Sequence, residues 1–569
     1  MTRISEDLKS CPHNPTPATN ERARTMQRLG RAKLPNIAIV GAGVSGLRCA
    51  DVLTRAGAKV TIFEARDRIG GRVHQVKNGG YLVDTGSNWI HGTEGNPIMK
   101  LAERTNTDVM DPERSEAVFN NHGKRLPKDE AEFLMQEFWN QVLHAFKYSD
   151  ENFANIDSKT SLLDRLKEKW SKEPLQHDLI ETSRVWGQFV GSPIERQSLR
   201  FFFLEDGLDG GNVFVASTYK KILDEVAKPA LSGADIRMNT EVKSIRYRAT
   251  DHGEDSVSVS FSHGPSLEYD EVVVTCPLGW LKQYAADVFE PALPEGLLQA
   301  IENIGYGALE KLYVTFPNAF WLTDNDKDSY TCFTNFHNPT GYHPILAAEN
   351  IETVSWHQSV VSLAHLPGKS AQPTLLFYMT GDSGAYVNAK LKDLPTHSNE
   401  YNEVLRTVAE PFYSRLPNYD SLRPECTPTS FYQTLWQTDR YAGNGSYSTF
   451  RTGLEHGDTD IEIMRAAGGL AEAGRGLWLA GEHTAPFVAL GTTTGAFWSG
   501  EGVARRIAKQ YDLDVPSDEL HEASADVSIE AGGVKEDVQD LAGTKTINPG
   551  KNQNGPVTQK DFTQNLHKI

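Results

Sequence analysis

An alternation of apolar runs and glycine turns near the start of the chain gives the first structural prediction. The segment NIAIV (36–40) is a short apolar run of the kind found in buried parallel strands. Glycines follow it, and apolar residues at helical spacing then predict a helix from Val44 to Arg55. A second apolar run, KVTIFE (59–64), predicts the next strand. Strand, turn, helix and strand together predict a βαβ unit with parallel strands.

The pattern changes twice further along the chain. Segments such as EAEFLMQEFWNQVLHAF and SLLDRLKEKW have apolar residues at helical spacing and predict the helices of a second domain. A predicted helix, the strands DIRMNTEVKSIRY and DEVVVTCPLGWLK, and later GLWLAGEHT return to the first domain. We therefore predict an α/β chain with a discontinuous first domain (34–96, 208–284 and 451–513) and an α+β second domain (97–207 and 285–450).

Both ends of the chain are polar and poor in aromatic residues. Such segments bury too little apolar surface to offset the entropy of ordering them. We expect residues 1–33 to be a flexible extension and residues 514–569 to be a disordered acidic and polar tail.

The glycines after the first strand have a specific chemical meaning. Gly41, Gly43 and Gly46 stand at G-x-G-x-x-G spacing, which permits a tight turn, a close approach to a pyrophosphate, and close packing of the helix on the strand. The N-terminus of the helix then faces the phosphates. Glu64 lies at the end of the second strand, where an acid can accept hydrogen bonds from a ribose. A dinucleotide site is predicted, and nicotinamide and flavin dinucleotides both remain possible on these residues.

Composition narrows the class of protein. The chain has 569 residues and a net charge of −18, which disfavours non-specific binding to nucleic acid and would attract cationic ligands. The five cysteines show no C-x-x-C pairing, so we predict neither a disulfide framework nor a metal site. No apolar run is long enough for a signal peptide or a membrane span. We expect a cytoplasmic protein without membrane contact; the ending His-Lys-Ile does not match the S-K-L signal, although a peroxisomal location is not excluded.

Seven segments, in order, resemble the flavin-containing amine oxidase family across about residues 34–512. They are GAGVSGL, EARDRIGGR, GSNWIHGTEGNPI, VTCPLGWLK, IGYGALEKLYVTF, YAGNGSYSTF and LWLAGEHT. The third segment looks most like spermine and acetylpolyamine oxidases. The resemblance implies non-covalent FAD, a glutathione-reductase-type FAD-binding Rossmann domain, and a substrate domain with a mixed sheet flanked by helices.

The resemblance also implies which residues hold the cofactor. Gly70, Gly71 and Arg72 resemble a second phosphate-contacting turn. Glu482 matches an acid that meets the ribityl or pyrophosphate region, and Val242 matches a residue whose backbone holds the adenine. The other residues implied at the cofactor are Ala65, Arg66, Gly86, Ser87, Asn88, Trp89, Trp436 and Thr493.

Two residues are implied in the chemistry by their place in the family pattern. Lys311 matches the lysine that holds a water near flavin N5; the alternative is a surface lysine paired with Glu310. His91 matches a histidine that lines the catalytic tunnel, and the alternative is a structural histidine.

The aromatic pattern departs from that of monoamine oxidases. Trp436 matches a tryptophan packed beside the flavin ring, and Tyr447 matches one wall of an aromatic sandwich. Thr492 takes the place of the other wall, although Phe487 could supply an aromatic ring there. Ser446 stands where enzymes with covalent flavin have cysteine, which implies a dissociable FAD.

The implied function is the oxidation of an amine by FAD with dioxygen as acceptor. Hydride would leave the carbon next to the amine nitrogen, and the resulting imine would be hydrolysed. The substrate predicted first is a polyamine or acetylpolyamine. The alternatives are a bulky or long-chain amine of specialised metabolism, a monoamine, and a flavoprotein scaffold without turnover. The expected partners are the small amine and dioxygen, and the sequence leaves the oligomeric state open.

Overall fold

A computed structural model describes residues 34–111, 116–247, 256–322, 331–340, 355–466 and 476–518, together with residue 520. The extension predicted over 1–33 and most of the tail predicted over 514–569 lie outside the described residues.

The described strands are, in chain order, β1 (Asn36–Val40), β2 (Lys59–Phe63), β3 (Gln75–Asn78), β4 (Tyr81–Asp84), β5 (Trp89–Ile90), β6 (Val109–Met110), β7 (Glu116–Phe119), β8 (Val213–Val215), β9 (Asp235–Arg237), β10 (Val242–Arg246), β11 (Val257–Phe261), β12 (Leu267–Tyr269), β13 (Glu271–Val274), β14 (Phe289–Glu290), β15 (Gly305–Tyr306), β16 (Leu309–Thr315), β17 (Phe333–Phe336), β18 (Gln358–Ser362), β19 (Thr374–Thr380), β20 (Ser430–Gln433), β21 (Ser448–Thr449) and β22 (Leu477–Leu479).

The described helices are α1 (Val44–Arg55), α2 (Pro97–Arg104), α3 (Lys128–Asn152), α4 (Leu162–Lys169), α5 (Gln176–Ser183), α6 (Trp186–Val190), α7 (Lys220–Gly233), α8 (Leu278–Val288), α9 (Glu295–Asn303), α10 (Gly381–Leu391), α11 (Asn399–Tyr413), α12 (Gly457–Arg465) and α13 (Thr493–Gln510).

A five-stranded parallel sheet forms the centre of the first domain, in the order β22-β13-β1-β2-β9. In β1, Ile37 and Ile39 face one apolar core while Ala38 and Val40 face another. Both faces of the sheet are therefore covered, which explains why β1 is a continuous apolar run. The strands come from three separated stretches of chain, 36–63, 235–274 and 477–479.

The second domain is built on a six-stranded mixed sheet in the order β20-β16-β19-β18-β17-β7. Its pairs are antiparallel except for β17 with β7. The helices α10 and α11 contribute Val387, Leu391, Leu405 and Phe412 to its core. The prediction of an α/β chain with a mixed sheet in the second domain is confirmed.

Two predicted boundaries fall short of the observed packing. Helix α2 lies beyond the boundary at residue 96, yet Ile98 and Leu101 are buried in the core of the first domain. Helix α9 lies beyond the boundary at residue 284, and Leu297 and Ile301 pack beneath the same parallel sheet. These two stretches complete the first domain because their apolar faces find partners there and not in the second domain.

The C-terminal boundary at residue 513 is also too early. Leu520 is buried against the first core, and Asp518 forms ion pairs with Arg48 and Arg55 of α1 at 3.2 and 2.5 Å. Arg48 is itself buried and also pairs with Glu501 of α13 at 2.5 Å. The folded domain therefore extends at least to residue 520, since this segment supplies both an apolar contact and a counter-charge.

Candidate active site

A cavity of about 460 Å³ runs between the two domains. One part of its wall consists of residues that follow parallel strands: Gly41 after β1, Glu64 after β2, Thr275 after β13 and Gly481 after β22. The carboxyl ends of parallel strands are where α/β sheets bind nucleotides. The rest of the wall comes from both domains.

The glycine turn leaves room for a ligand where the sequence predicts it. Gly41 has a φ of +107°, and a Cβ on Gly46 would lie 2.1 Å from the Gly41 carbonyl oxygen, so α1 packs directly on the turn. A Cβ on Gly43 would meet no atom of the described chain within 4 Å. Gly43 lines the cavity at the N-terminus of α1, where amide groups and the helix dipole favour an anion.

Glu64, predicted to accept hydrogen bonds from a ribose, also stabilises the protein backbone. Its carboxylate accepts hydrogen bonds from the backbone N–H of Ala42 and of Arg66, both at 2.8 Å. The Arg66 guanidinium in turn donates to both oxygens of Asp439 at 2.9 Å. The acid therefore fixes the glycine turn, and the arginine joins it to a loop of the second domain.

Arg72 and Glu482 form an ion pair on the cavity wall, with Nη1 2.9 Å from Oε1. Arg72 also donates to the Ser446 carbonyl at 2.6 Å, and the Ser448 hydroxyl donates to Glu482 at 2.6 Å. Burial alone would raise the pKa of Glu482, but Arg72 and the other partners hold this pKa below its usual range. The carboxylate is therefore ionised, and it orients the arginine beside the cavity.

Lys311 lies in the middle of β16 and points into the cavity. Its side chain is buried, and Nζ donates a hydrogen bond to the Gly86 carbonyl oxygen. Burial lowers the pKa of Lys311, while the Asp84 carboxylate acts in the opposite direction. The alternative of a surface lysine paired with Glu310 is wrong: the two side chains leave opposite faces of the strand, because successive residues alternate.

Trp436 is held at both ends. Its indole Nε1 donates to the Thr85 carbonyl at 2.9 Å, and its backbone N–H donates to Glu310 at 3.1 Å. The ring is mostly buried and lines the cavity. The Trp436 ring is therefore fixed on the part of the cavity wall that Gly86 and Lys311 also line.

The second aromatic position differs from the first. The Tyr447 hydroxyl donates to the Phe189 carbonyl at 2.8 Å, which fixes the ring on the wall. Thr492 also lines the cavity, but its hydroxyl serves as the N-cap of α13, accepting from the Gly495 N–H at 3.0 Å. Phe487 lines the same cavity. One aromatic wall is thus present at Tyr447, and Phe487 is available as a second.

Asn88 and His91 flank strand β5, one just before it and the other just after it. Burial lowers the pKa of His91, so this imidazole is neutral near pH 7, although a hydrogen bond with Asn212 opposes the shift. Asn88 is buried, and its Nδ2 has no hydrogen-bond partner within the described residues. This buried donor on the cavity wall is available to an acceptor atom of a bound molecule.

The structure brings the predicted site residues together with one exception, Gly46, which packs the helix instead. Those that line the single cavity are Gly41, Gly43, Glu64, Ala65, Arg66, Gly71, Arg72, Gly86, Ser87, Asn88, Trp89, His91, Val242, Lys311, Trp436, Tyr447, Glu482, Thr492 and Thr493. Two of them, from segments far apart in the sequence of the first domain, are in contact, since the Ser87 and Thr493 hydroxyls lie 2.7 Å apart.

Sequence reasoning missed a set of polar and acidic wall residues. They are Asp111, Glu116, Gln188, Glu205, Asp206, Asn212 and Ser359. Burial raises the pKa of Glu205 to about 7, opposed by a hydrogen bond from the Phe450 N–H at 3.2 Å. No local spacing singles out Glu205 within FFFLEDG; only the fold shows that it faces the cavity.

The residues present fit a flavin dinucleotide. The open space at Gly43, the N-terminus of α1, Arg72 and the unsatisfied Asn88 donor supply the cradle, the positive potential and the polar contacts that such a cofactor needs. Among the described residues, no three His, Cys, Asp or Glu side chains gather as a metal site would require. No helix in the described ranges is both long and apolar enough to cross a bilayer.

Proteins similar to this chain include flavin-dependent enzymes, in agreement with a flavin site in this cavity. The family model described as flavin containing amine oxidoreductase matches residues 44–508. Polyamine oxidase 2 of Arabidopsis thaliana is 30% identical over 355 residues, which cover 57% of this chain and 70% of that protein. The probable polyamine oxidase 4 of the same plant is 28% identical over 338 residues, covering 55% and 65% of the two chains.

A solved structure shares the fold. A double mutant of putrescine oxidase, made to redesign cofactor binding, is 18% identical and superposes with a TM-score of 0.57, covering 84% of this chain and 99% of that one. Fold, site and relatives together define an FAD-dependent oxidoreductase that acts on CH–NH groups. The chain belongs to the flavin-containing amine oxidoreductase family.

Proposed function

We propose that this protein oxidises a di- or polyamine at a carbon next to nitrogen, with dioxygen as the electron acceptor. The observation that carries this proposal is the partly buried Glu205 carboxyl, which lines the same cavity as Lys311 and Trp436. A carboxylate at this place offers a counter-charge to an ammonium group remote from the reacting nitrogen. The polyamine oxidase names of two relatives support the same substrate class.

Bound FAD would supply the hydride acceptor for the amine carbon and would be reoxidised by dioxygen to give hydrogen peroxide, and water would hydrolyse the resulting imine to an aldehyde and an amine. The reacting nitrogen must be a neutral amine, because an ammonium has no lone pair to support the developing imine. The protein must therefore bind the cofactor, orient the amine and keep bulk water out of the cavity.

We assign the water-excluding task to the aromatic wall. Trp436 and Tyr447 are each fixed by a hydrogen bond to a backbone carbonyl, so they hold their places without a ligand. Lys311 is placed to hold a water or a proton near the Gly86 turn, since burial favours its neutral form. His91, which is hydrogen-bonded to Asn212, is a candidate residue for direct contact with the amine.

The distribution of charge on the cavity wall favours a cationic substrate. The basic wall residues are Arg66, Arg72 and Lys311, and the two arginines are each paired with a carboxylate. The acids Asp111, Glu116, Glu205 and Asp206 also line the cavity. Burial and the Glu205 carboxylate both raise the pKa of Tyr447, which shows that this carboxyl lies close to the aromatic wall.

The FAD is proposed to be dissociable. Ser446 lines the cavity where a thiol would be needed for a covalent bond, and its hydroxyl instead accepts from the Leu309 N–H at 3.0 Å. Acid precipitation should therefore release all of the yellow cofactor into the supernatant. Colour that stays with the pellet would contradict this assignment.

Anaerobic bleaching of the flavin absorbance tests the proposed function. Spermine, spermidine, their acetyl forms and diamines should bleach the bound flavin, and peroxide should form when air is admitted. Benzylamine and long-chain monoamines are the comparison set. Bleaching by monoamines in preference would favour the second candidate, a bulky or long-chain amine, which the aromatic wall residues Trp139, Phe146, Trp186 and Phe189 would also accommodate. A flavin that no amine bleaches would contradict the oxidase proposal.

A further inference from the structure

Glu310 is a buried carboxylate with an unusual set of partners. It lies on β16 next to Lys311, has no exposed surface, and takes part in no ion pair among the described residues. Burial raises its pKa to about 7, and four hydrogen bonds oppose that shift. Burying an acid is unfavourable unless such bonds compensate it, so these four hydrogen bonds are what makes the buried position tolerable.

The four donors come from two directions. Asn388 of α10 donates through Nδ2 to Oε1 at 2.6 Å, and the Gln437 N–H donates to the same oxygen at 2.8 Å. The Trp436 N–H donates to Oε2 at 3.1 Å, and the Thr434 hydroxyl donates to Oε2 as well. Three of the four therefore belong to the short segment 434–437, which carries Trp436.

The same segment is tied to the neighbouring backbone of Lys311. The Lys311 N–H donates to the Thr434 hydroxyl oxygen at 2.8 Å, and the Thr434 N–H donates to the Lys311 carbonyl at 3.0 Å. Helix α10 closes the other side, where a Cβ on Gly384 would lie 3.2 Å from Glu310 Cγ. The carboxylate is thus enclosed and cannot move without moving segment 434–437.

We infer that Glu310 is a positioning residue for Trp436, setting the plane of the indole that faces the cavity. Two consecutive backbone N–H groups converge on the carboxylate, and the indole Nε1 is bound to Thr85 at the far end. The indole is therefore anchored at its Nε1, and the backbone that carries it is anchored at two consecutive N–H groups. This inference rests on the proposed function only in that Trp436 is taken to pack beside the flavin ring.

The Glu310→Gln substitution tests the inference because an amide has only one acceptor oxygen. Either the partners of Oε1 or those of Oε2 must then face an NH₂ group, so one of the N–H groups of segment 434–437 loses its acceptor. We expect kcat to fall by ~10- to 100-fold at an unchanged FAD content, as is typical of a small displacement in an active site. The circular dichroism of the visible flavin bands should also change. Glu290→Gln, on an exposed strand position paired with Arg246, is the matched control and should leave both measurements as in the wild type.

A double-mutant cycle separates positioning from a general structural role. In a Trp436→Phe background the hydrogen-bonded indole is gone, so adding Glu310→Gln should lower kcat by less than ~3-fold further. Equal effects of Glu310→Gln in both backgrounds, or unchanged flavin dichroism in the single variant, would overturn the inference. If Glu310→Gln does not fold, Thr434→Val against Thr434→Ser asks the same question, since only the first removes the hydroxyl that donates to Glu310.

The two proposals fail in different ways. A wild-type flavin that no amine bleaches removes the proposed function, but the flavin dichroism of Glu310→Gln still tests the position of Trp436. A wild-type flavin that bleaches normally, with Glu310→Gln behaving like Glu290→Gln, removes only the inference about Glu310.

Discussion

Lys311 of the mixed sheet donates a hydrogen bond to the carbonyl oxygen of Gly86, a residue of the other domain. Any side chain at position 86 would clash with the backbone, because a Cβ on Gly86 would lie 1.5 Å from the Arg72 carbonyl oxygen. The turn that accepts from Lys311 is therefore packed directly on the residue that pairs with Glu482. One contact joins the proposed site of chemistry to the cofactor cradle.

Replacing Lys311 by Met should slow flavin reduction or reoxidation by at least ~10-fold while FAD remains bound. Methionine keeps most of the side-chain volume but lacks the amine. The hydrogen bond to the Gly86 carbonyl is therefore lost, and so is the group proposed to hold a water or a proton. Stopped-flow absorbance under anaerobic and then aerobic conditions measures the two half-reactions. Lys147→Met, on an exposed position of α3, is the control, and equal rates in both variants would remove Lys311 from the mechanism.

Replacing Gly43 by Val should abolish FAD binding without unfolding the chain. A Cβ at Gly43 meets no described atom within 4 Å, so the added methyl groups enter the open cavity at the N-terminus of α1. The ratio of flavin to protein absorbance measures occupancy. Gly502→Val, at an exposed position of α13 that is equally open among the described atoms, should keep full occupancy. Full occupancy in the Gly43 variant would show that the cofactor does not approach this turn.

Glu205→Gln should raise KM for a polyamine by ~10-fold or more and leave KM for a monoamine unchanged, because only the longer amine has a second ammonium to pair with the carboxylate. In the wild type, KM for the polyamine should rise as the pH falls through about 7, the value to which burial raises the pKa of Glu205. This acid limb should be absent in Glu205→Gln. A limb that persists in the variant would mean that the titrating group lies in the substrate or elsewhere on the chain.

The pH dependence of stability should have opposite signs at Glu205 and Glu482. The pKa of Glu205 is raised in the folded state, so its contribution is fully present below the unfolded pKa of roughly 4.3 and is lost as the pH rises through about 7. The pKa of Glu482 is lowered, so its contribution is present above roughly pH 4.3 and is lost as the pH falls further.

Glu482→Gln should therefore lower the free energy of unfolding by about 3 kcal/mol at pH 7, the lower end for breaking a buried ion pair because Arg72 is partly exposed, and by less at pH 3. Chemical denaturation at the two pH values measures the difference. Glu168→Gln breaks an exposed pair with Arg165 and should change the free energy by less than about 1 kcal/mol. An equal loss at both pH values in the Glu482 variant would show that its ionised form is not what stabilises the fold.

Ending the chain after residue 513 should lower thermal stability, whereas ending it after residue 520 should not. The shorter chain loses the burial of Leu520 and leaves Arg48 without the Asp518 carboxylate. These losses amount to about 2–4 kcal/mol by apolar area and charge pairing. Differential scanning calorimetry of the two truncated proteins measures the difference in thermal stability. Identical melting temperatures would place the end of the fold at residue 513.

The cofactor end of the site was predictable because its information is local. Gly41, Gly43, Gly46 and Glu64 lie within one βαβ unit, where each residue type answers a steric or hydrogen-bonding demand of its neighbours. Glu205 was not predictable, because its place on the wall depends on how the second domain packs against the first. The partners of Glu310 are equally distant in sequence, with Asn388 and Trp436 arriving from a helix and a loop more than seventy residues away.

The order of elements along the chain decides when the pocket can be completed during synthesis. Strand β22, Glu482 and Thr493 all come from the last quarter of the polypeptide, yet they contribute to the cavity that the glycine turn also lines. A nascent chain still on the ribosome exposes the apolar edge of β13 until β22 has emerged, because domains generally fold as units. The flavin pocket is therefore incomplete until these late elements have been synthesised.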